Sequence, residues 1–430
     1  MDERIILQTL ADQREELKKL QKKPLCSRKE EDFFEWETNM AQVVIGVRRS
    51  GKSTLCHKVL RDMGVKYGYV DFDDDRLAGL KVEDLNTVLS CIYQLYGNDM
   101  EYLFMDEVQD IDGWHLFVNR LLRQSIHIVL TGSNAKLLSG ELATYLTGRY
   151  NEIRLFPFSY SEYASYKGVD MVGITTRAEA DRKASLDQYL IEGGLPELMN
   201  MKSDHTKRVY VEGLVEKILS KDIAIRHKIR NTDGLRRIAN HLINNSCQVI
   251  DYDTLAKISG IKSENTIRKY VGYLAQAYLI QKVQKFSYKS QERICNEKAY
   301  VVDTGFIANR ENSLLGPNIG WRLENVVYIE TRRRYLSEAE DVYYYKPDTR
   351  SKEVDFVVCR QGKVLELIQV SYSIADSTTY EREMDALVQV SKKLNCDHLT
   401  LVTLDNSRDV EYEGKLVHIR NASEWMNARS

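Results

Sequence analysis

Gly46-Val47-Arg48-Arg49-Ser50-Gly51-Lys52-Ser53 decides the reading of this chain. It fits G-x-x-x-x-G-K-[ST], the pattern of a loop whose backbone wraps a polyphosphate. Met40-Ala41-Gln42-Val43-Val44-Ile45 before it is a short apolar run that predicts a buried strand. Thr54 to Leu60 after it predicts a helix. Strand, glycine loop, helix is the context this motif needs. The glycines let successive N–H groups turn toward one anion, and the new helix points its positive end at the same place. The expected nucleotide contacts are Gly46, Arg48, Arg49, Ser50, Gly51, Lys52, Ser53 and Thr54. Lys52 is expected on the β- and γ-phosphates and Ser53 on Mg²⁺. The competing reading is a plain glycine turn between a strand and a helix.

Working outward, Tyr102-Leu103-Phe104-Met105-Asp106-Glu107 is an apolar strand ending in two acids, placed after a phosphate loop. Asp106 is expected to hold Mg²⁺, usually through water. Glu107 is expected to polarise the water that attacks the γ-phosphate, which is what in-line phosphoryl transfer requires. Tyr67 to Phe72 predicts another strand, followed by Asp73, Asp74 and Asp75, which suit loops and helix caps. Ile126 to Leu130 predicts a fourth strand ending in Thr131-Gly132-Ser133-Asn134. In a parallel sheet the ligand lies at the carboxyl ends of the strands. One of these polar residues should therefore face the γ-phosphate, with Ser133 favoured and Asn134 next. Arg149 precedes a fifth strand over 153–159. Its guanidinium is a candidate to reach the γ-phosphate in its own chain or in a neighbouring subunit.

The bulk numbers fit a globular chain of several domains. Of 430 residues, 43% are hydrophobic and 29% charged, an ordinary composition. A net charge of −2 supplies no global basic field, so any nucleic-acid contact must be a local patch. No apolar run approaches a membrane span, and Met1-Asp2-Glu3-Arg4 opens no signal peptide. Seven scattered cysteines without C-x-x-C spacing suit reduced thiols, and a cytoplasmic location is expected.

The motifs resemble the bacterial and archaeal AAA+ ATPases that carry a Gly-Arg step and a Pro-Phe-Ser step after the fourth strand. Matching residues are Gly46 to Ser53, Asp106-Glu107, Thr131-Gly132-Ser133, Gly148-Arg149, Pro157-Phe158-Ser159 and Glu192-Gly193-Gly194-Leu195-Pro196. The resemblance implies an α/β fold, with a parallel-sheet P-loop NTPase domain first. ATP and Mg²⁺ are the implied ligands, and a homo-oligomer and a protein partner are open expectations.

Residues 1–39 form an N-terminal helix with a basic face, and 40–165 the ATPase core. Residues 166–235 make a helical linker or lid in which Arg226 is a second sensor candidate. Residues 236–295 suit a winged helix. There Thr254 to Lys262 and Ser263 to Leu274 are helix, turn and helix, with Lys262, Asn265, Arg268 and Lys269 outward. Leu279–Val283 and Lys285–Tyr288 suit a two-stranded wing. Such a module contacts DNA or serves as a lid.

Residues 296–430 resemble the restriction-endonuclease-like core of the same family, in which carboxylates bind Mg²⁺ and a lysine orients water. Glu324 matches the helix glutamate and Asp355 the first strand carboxylate. The Glu-x-Lys positions hold Gln369 and Ser371. An amide cannot neutralise a metal, and serine offers no cation. Glu366, at an odd offset from Gln369, falls on the opposite strand face. The expectation is a nuclease relative without cleavage chemistry. The chain is thus read as an ATPase that moves its later domains on DNA, or as a slow nucleotide switch in signalling or defence.

Overall fold

The computed structural model describes residues 1–132, 145–146, 148–287, 289, 296–308, 319–335, 341–347 and 352–428. The chain divides into two compact units: Met1–Phe156 with Gln276–Tyr278, and Pro157–Ala275 with Leu279–Ser430.

The first unit is built on a five-stranded sheet: β1 (Ala41–Ile45), β2 (Tyr67–Asp71), β3 (Tyr102–Asp106), β4 (His127–Gly132) and β5 (Tyr150–Arg154), in the order β2-β3-β4-β1-β5. Every neighbouring pair is parallel. β1 is buried along its length and β4 from Ile128 onward, as a sheet covered on both faces requires. Helices α1 (Glu3–Gln21), α2 (Lys52–Asp62), α3 (Leu85–Tyr96) and α4 (Trp114–Arg123) belong to this unit. Ile6, Leu10 and Leu17 bury the apolar stripe of α1, whereas Ile5 is exposed. At the free edge of β2, the Gln13 amide of α1 accepts from the Asp71 N–H and donates to its carbonyl, both at 3.0 Å. A side chain thus completes the edge-strand hydrogen bonding.

The fifth strand begins at Tyr150 and ends at Arg154, earlier than the expected 153–159. Ser159 instead caps the helix Tyr160–Lys167 through a reciprocal box with Glu162.

The second unit holds a small three-stranded antiparallel sheet of β6 (Gln248–Val249), β7 (Ile280–Gln284) and β8 (Glu297–Val301), in the order β6-β8-β7. With the helices Thr232–Asn244, Tyr252–Ser259 and Glu264–Gln276, the chain order is helix, β6, two helices, β7, β8. The expected wing is corrected here. Lys285 forms an isolated bridge to Tyr344 and its N–H donates to the Asn296 carbonyl at 2.9 Å, while the partner strand of β7 is Glu297–Val301. Tyr288 lies outside the described residues.

A six-stranded mixed sheet follows: β9 (Asp341–Tyr345), β10 (Val354–Arg360), β11 (Lys363–Ser371), β12 (Leu399–Thr403), β13 (Arg408–Tyr412) and β14 (Lys415–Asn421). Their order is β13-β14-β12-β11-β10-β9. Gln361-Gly362 and Glu413-Gly414 close the β10–β11 and β13–β14 hairpins with paired positive φ angles (50° and 81°; 47° and 74°), as two-residue turns between twisted strands need. The helix Ser377–Leu394 packs Met384, Leu387 and Val388 against Val357, Leu367, Leu399 and Leu401 of this sheet.

Pro-Phe-Ser and Gly-Gly-Leu-Pro meet in the second unit around Asp303. The Asp303 carboxylate accepts from the N–H groups of Gly194 (2.7 Å) and Gly305 (2.8 Å). The Phe158 N–H donates to the Gly194 carbonyl at 2.8 Å. A Cβ on Gly193 would stand 1.9 Å from an Asp303 oxygen, and one on Gly194 2.1 Å from the Phe158 carbonyl oxygen. Both glycines are therefore required by close approach.

Candidate active site

The site lies at the carboxyl end of the first unit's sheet. β1 runs into the loop 46–51, and α2 begins at Lys52. An added Cβ on Gly46 would lie 2.1 Å from the Leu155 carbonyl oxygen, so only glycine lets the loop leave the sheet here. Gly51 (φ +97°) turns the chain into α2 and offers no side-chain cap, which leaves the first-turn amides to an anion. Arg49 also holds positive φ, at 70°, and its side chain is exposed. Lys52 is buried and donates to the carbonyls of Gly46 and Val47, both at 3.2 Å, so its ammonium sits inside the loop. Ser50 is fully buried, and Arg28 packs beside it, donating to the carbonyls of Ser50 (3.5 Å) and Phe156 (2.8 Å). Arg48 pairs with Asp73 at 3.2 Å. Thr54 is half-buried in the first turn of α2.

β4 is inserted between β1 and β3, so its end lies between loop and acids. The Thr131 hydroxyl donates to Asp106 and accepts from the Glu107 N–H at 3.4 Å. Among the described residues at this strand end, Thr131 is the polar group that touches both acids. Ser133 and Asn134 lie outside the described residues. The Ser53 hydroxyl hydrogen-bonds Asp106. Burial, and then the neighbouring Glu107 charge, push the Asp106 carboxyl up, while Ser53, Thr131 and Lys52 oppose them. On β2, Asp71 stands in register with Asp106, and its carboxyl is pushed up to about 7 by burial and then by Asp106. Glu107 adopts left-handed backbone (φ 55°) and accepts from the Gln109 side-chain amide.

These donors fit a magnesium–polyphosphate pair. A buried carboxylate and a hydroxyl already in contact, crowded by further acids, gain from a hard cation with oxygen ligands. No group of three or more His, Cys, Asp or Glu able to hold a metal occurs among the described residues. A cation here would therefore share its ligands with phosphate and water.

Arg149 is not beside this loop. β5 is parallel to β1 with Tyr150 opposite Ala41 and Arg154 opposite Ile45, and the Arg149 carbonyl accepts from the Ala41 N–H at 3.1 Å. Four strand steps, about 13 Å, separate that sheet end from the loop. Arg149 is exposed there and lines a cleft of about 600 Å³ with Arg120, Arg123, Asn86, Asn119 and Leu116. Arg226 follows the π-helix Ile218–Ile225 in the second unit.

In the helix Glu264–Gln276, Lys269 and Asn265 are exposed, as is Lys262 just before it. Arg268 is not simply outward: it pairs with Glu264 at 2.7 Å and stacks 3.9 Å from the Tyr252 ring. Asp355 and Gln369 of the C-terminal sheet and Glu324 of the helix Ile319–Arg334 fall near one another, and Lys298 of β8, which sequence reasoning missed, joins them. Ser371 bonds the Ser373 carbonyl instead, at 3.0 Å. Glu366 bonds Thr400 (2.6 Å) and Tyr335 (2.7 Å), away from that group. No helix among the described residues is long and apolar enough to cross a membrane.

Three family models match the chain: an AAA domain over residues 38–164, a domain of unknown function (DUF8612) over 183–314 and another (DUF4143) over 320–421. An uncharacterised protein of Methanocaldococcus jannaschii is 33% identical over 374 residues, covering 84% of this chain and 81% of its own. An uncharacterised protein of Haemophilus influenzae is 32% identical over 368 residues, covering 82% and 87%. Among solved structures, the Walker-type ATPase of Pyrococcus abyssi aligns over 67% of this chain and 99% of its own, with a TM-score of 0.43 and 16% identity. The phosphate loop, the parallel sheet and the first family model agree on the fold of the N-terminal unit. The chain belongs to the family of the Methanocaldococcus jannaschii and Haemophilus influenzae proteins, and it carries an AAA-type P-loop domain at its N-terminal end.

Proposed function

We propose that this protein is a Mg²⁺-dependent ATPase. The observation that carries the reading is the convergence, at one sheet end, of buried Lys52, the uncapped start of α2, the Ser53–Asp106 contact and Glu107. The loop amides and Lys52 bind the phosphates, with Gly46, Arg48, Arg49, Ser50, Gly51 and Thr54 shaping the cradle. Ser53 and Asp106 hold Mg²⁺, whose charge neutralises the phosphate oxygens. Glu107 orients and deprotonates the attacking water, and Thr131 fixes the two acids. Ser133 stands as a further γ-phosphate contact. Arg149, at the far sheet end, acts on the nucleotide of a second copy in a homo-oligomer. Its exposure and its distance from its own loop support that assignment.

The order helix, strand, two helices and two strands over 232–301 supports a winged-helix reading. Exposed Lys262, Asn265 and Lys269 are its candidate DNA contacts. The antiparallel hairpin β10–β11 beside parallel β12, with Asp355 buried on it, supports a nuclease-like C-terminal body without cleavage chemistry. A second reading, a slowly hydrolysing nucleotide switch, is favoured by one contact. Gln109 donates to the Glu107 carboxylate and so restrains the group that is to activate water.

Phosphate release measured with and without duplex and single-stranded DNA, across a salt series, tests both parts. Mg²⁺-dependent turnover that DNA changes, with the effect fading as salt rises, is expected. No turnover in any arm removes the ATPase reading. Turnover indifferent to DNA removes the DNA part alone.

A further inference from the structure

The nuclease-like resemblance implies a divalent cation between Glu324, Asp355 and the strand β11. The side chains gathered there do not fit one. Lys298 is only 5% exposed, and its Nζ lies 2.5 Å from Glu353 Oε1 and 3.4 Å from Glu324 Oε1. A second lysine, Lys346, holds the other Glu353 oxygen at 3.0 Å. Two ammonium groups thus stand where like charge would repel a metal.

The carboxylates are also spoken for by protein donors. The Tyr300 hydroxyl donates to Glu324 Oε1 at 2.7 Å. The Val370 N–H donates to Asp355 Oδ2 at 2.8 Å. Gln369, at the position where the resembling nucleases place a metal-binding glutamate, uses both ends of its amide. Its oxygen accepts from the Asp355 N–H at 3.2 Å, and its NH₂ donates to Glu383 Oε2 at 2.7 Å. An amide NH₂ facing a carboxylate is a donor where a cation would need an acceptor.

We propose that Lys298 is the resident cation of this carboxylate cluster, filling the charge role that a metal ion has in the resembling nucleases, so that the C-terminal body works without a metal. This stands independently of the ATPase reading, since no residue is shared. Burial of the ammonium works against its charge, but Glu324, Glu353 and Asp355 outweigh it and hold Lys298 above its ordinary range. Burial and then Glu324 push the Asp355 carboxyl well up, which further lowers the need for added positive charge.

The test is Mn²⁺ binding to the full chain without nucleotide, followed by calorimetry, for wild type, Asp355→Asn, Lys298→Met and the double variant. Wild type and Asp355→Asn should give the same isotherm. Lys298→Met, which keeps the stem but removes the charge, should gain a Mn²⁺ site that the added Asp355→Asn abolishes. A wild-type Mn²⁺ site lost in Asp355→Asn would overturn the proposal. So would a folded Lys298→Met that gains none. If Lys298→Met fails to fold, the comparison of wild type with Asp355→Asn decides alone.

Discussion

The stability of the nucleotide unit should depend on pH through one buried ring in α2. His57 is 4% exposed, packed edge-on against Tyr69 and Phe104 with centroids at 4.5 and 4.8 Å, with Nδ1 3.2 Å from the Tyr67 hydroxyl. Burial lowers its pKa from 6.5 to about 3. The folded state therefore keeps the ring neutral, while the unfolded chain takes up a proton as pH falls below 6.5. The sign follows: stability is complete above pH 6.5 and is lost as pH falls toward 3. The slope approaches about 1.4 kcal/mol per pH unit, which gives a loss of about 2 kcal/mol at pH 5 relative to pH 8. In a domain of this size that is roughly 4–8 °C in midpoint. His57→Gln removes the titrating group at a fixed packing cost. Denaturant unfolding of wild type and variant at pH 8 and pH 5 gives the double difference, in which the carboxylates common to both cancel. Wild type should lose about 2 kcal/mol more than the variant between the two pH values. Equal losses would refute the argument, because they would mean that folded His57 protonates as readily as the unfolded chain.

Two further perturbations probe the site. Gln109→Ala removes one amide donor from the Glu107 carboxylate, and a lost hydrogen bond of about 1 kcal/mol should raise turnover about fivefold. Unchanged phosphate release would mean that the contact does not restrain Glu107. Arg149→Ala should reduce turnover by about 10³. Mixing it with Lys52→Ala should restore part of the rate, because an intact loop can then meet an intact arginine on another copy. Two inactive proteins that stay inactive when mixed would exclude action between copies.

Local chemistry was legible in the sequence wherever a backbone turn or a strand end fixes the residue type. Gly46 and Gly51 are demanded by the loop's own backbone, the first by its approach to the Leu155 carbonyl and the second by its positive φ. Asp106 and Glu107 stand out because an apolar strand ends in acids. Contacts with distant backbone were not legible. Gln13 looks like any helix polar residue until the amide and carbonyl of Asp71 are seen beside it. Lys298 sits in a strand whose local pattern says nothing of Glu324 and Glu353. Strand pairing had the same limit. Glu297–Val301 closes the small antiparallel sheet with β6 and β7 because of partners supplied by earlier segments, which its own residues do not specify. For Arg149 the turn was readable, but only the register of β5 on β1 places it at the far end of the sheet.

ATP binding and Mg²⁺-dependent phosphate release in wild type, Lys52→Ala and Glu107→Gln decide whether this loop and its acids hydrolyse nucleotide. Wild type should bind and hydrolyse ATP, and Lys52→Ala should lose affinity. Glu107→Gln should bind as wild type does while turnover falls by about 10²-fold or more. Equal turnover by wild type and Glu107→Gln, or no Mg²⁺-dependent affinity for ATP in the wild type, would contradict the ATPase reading.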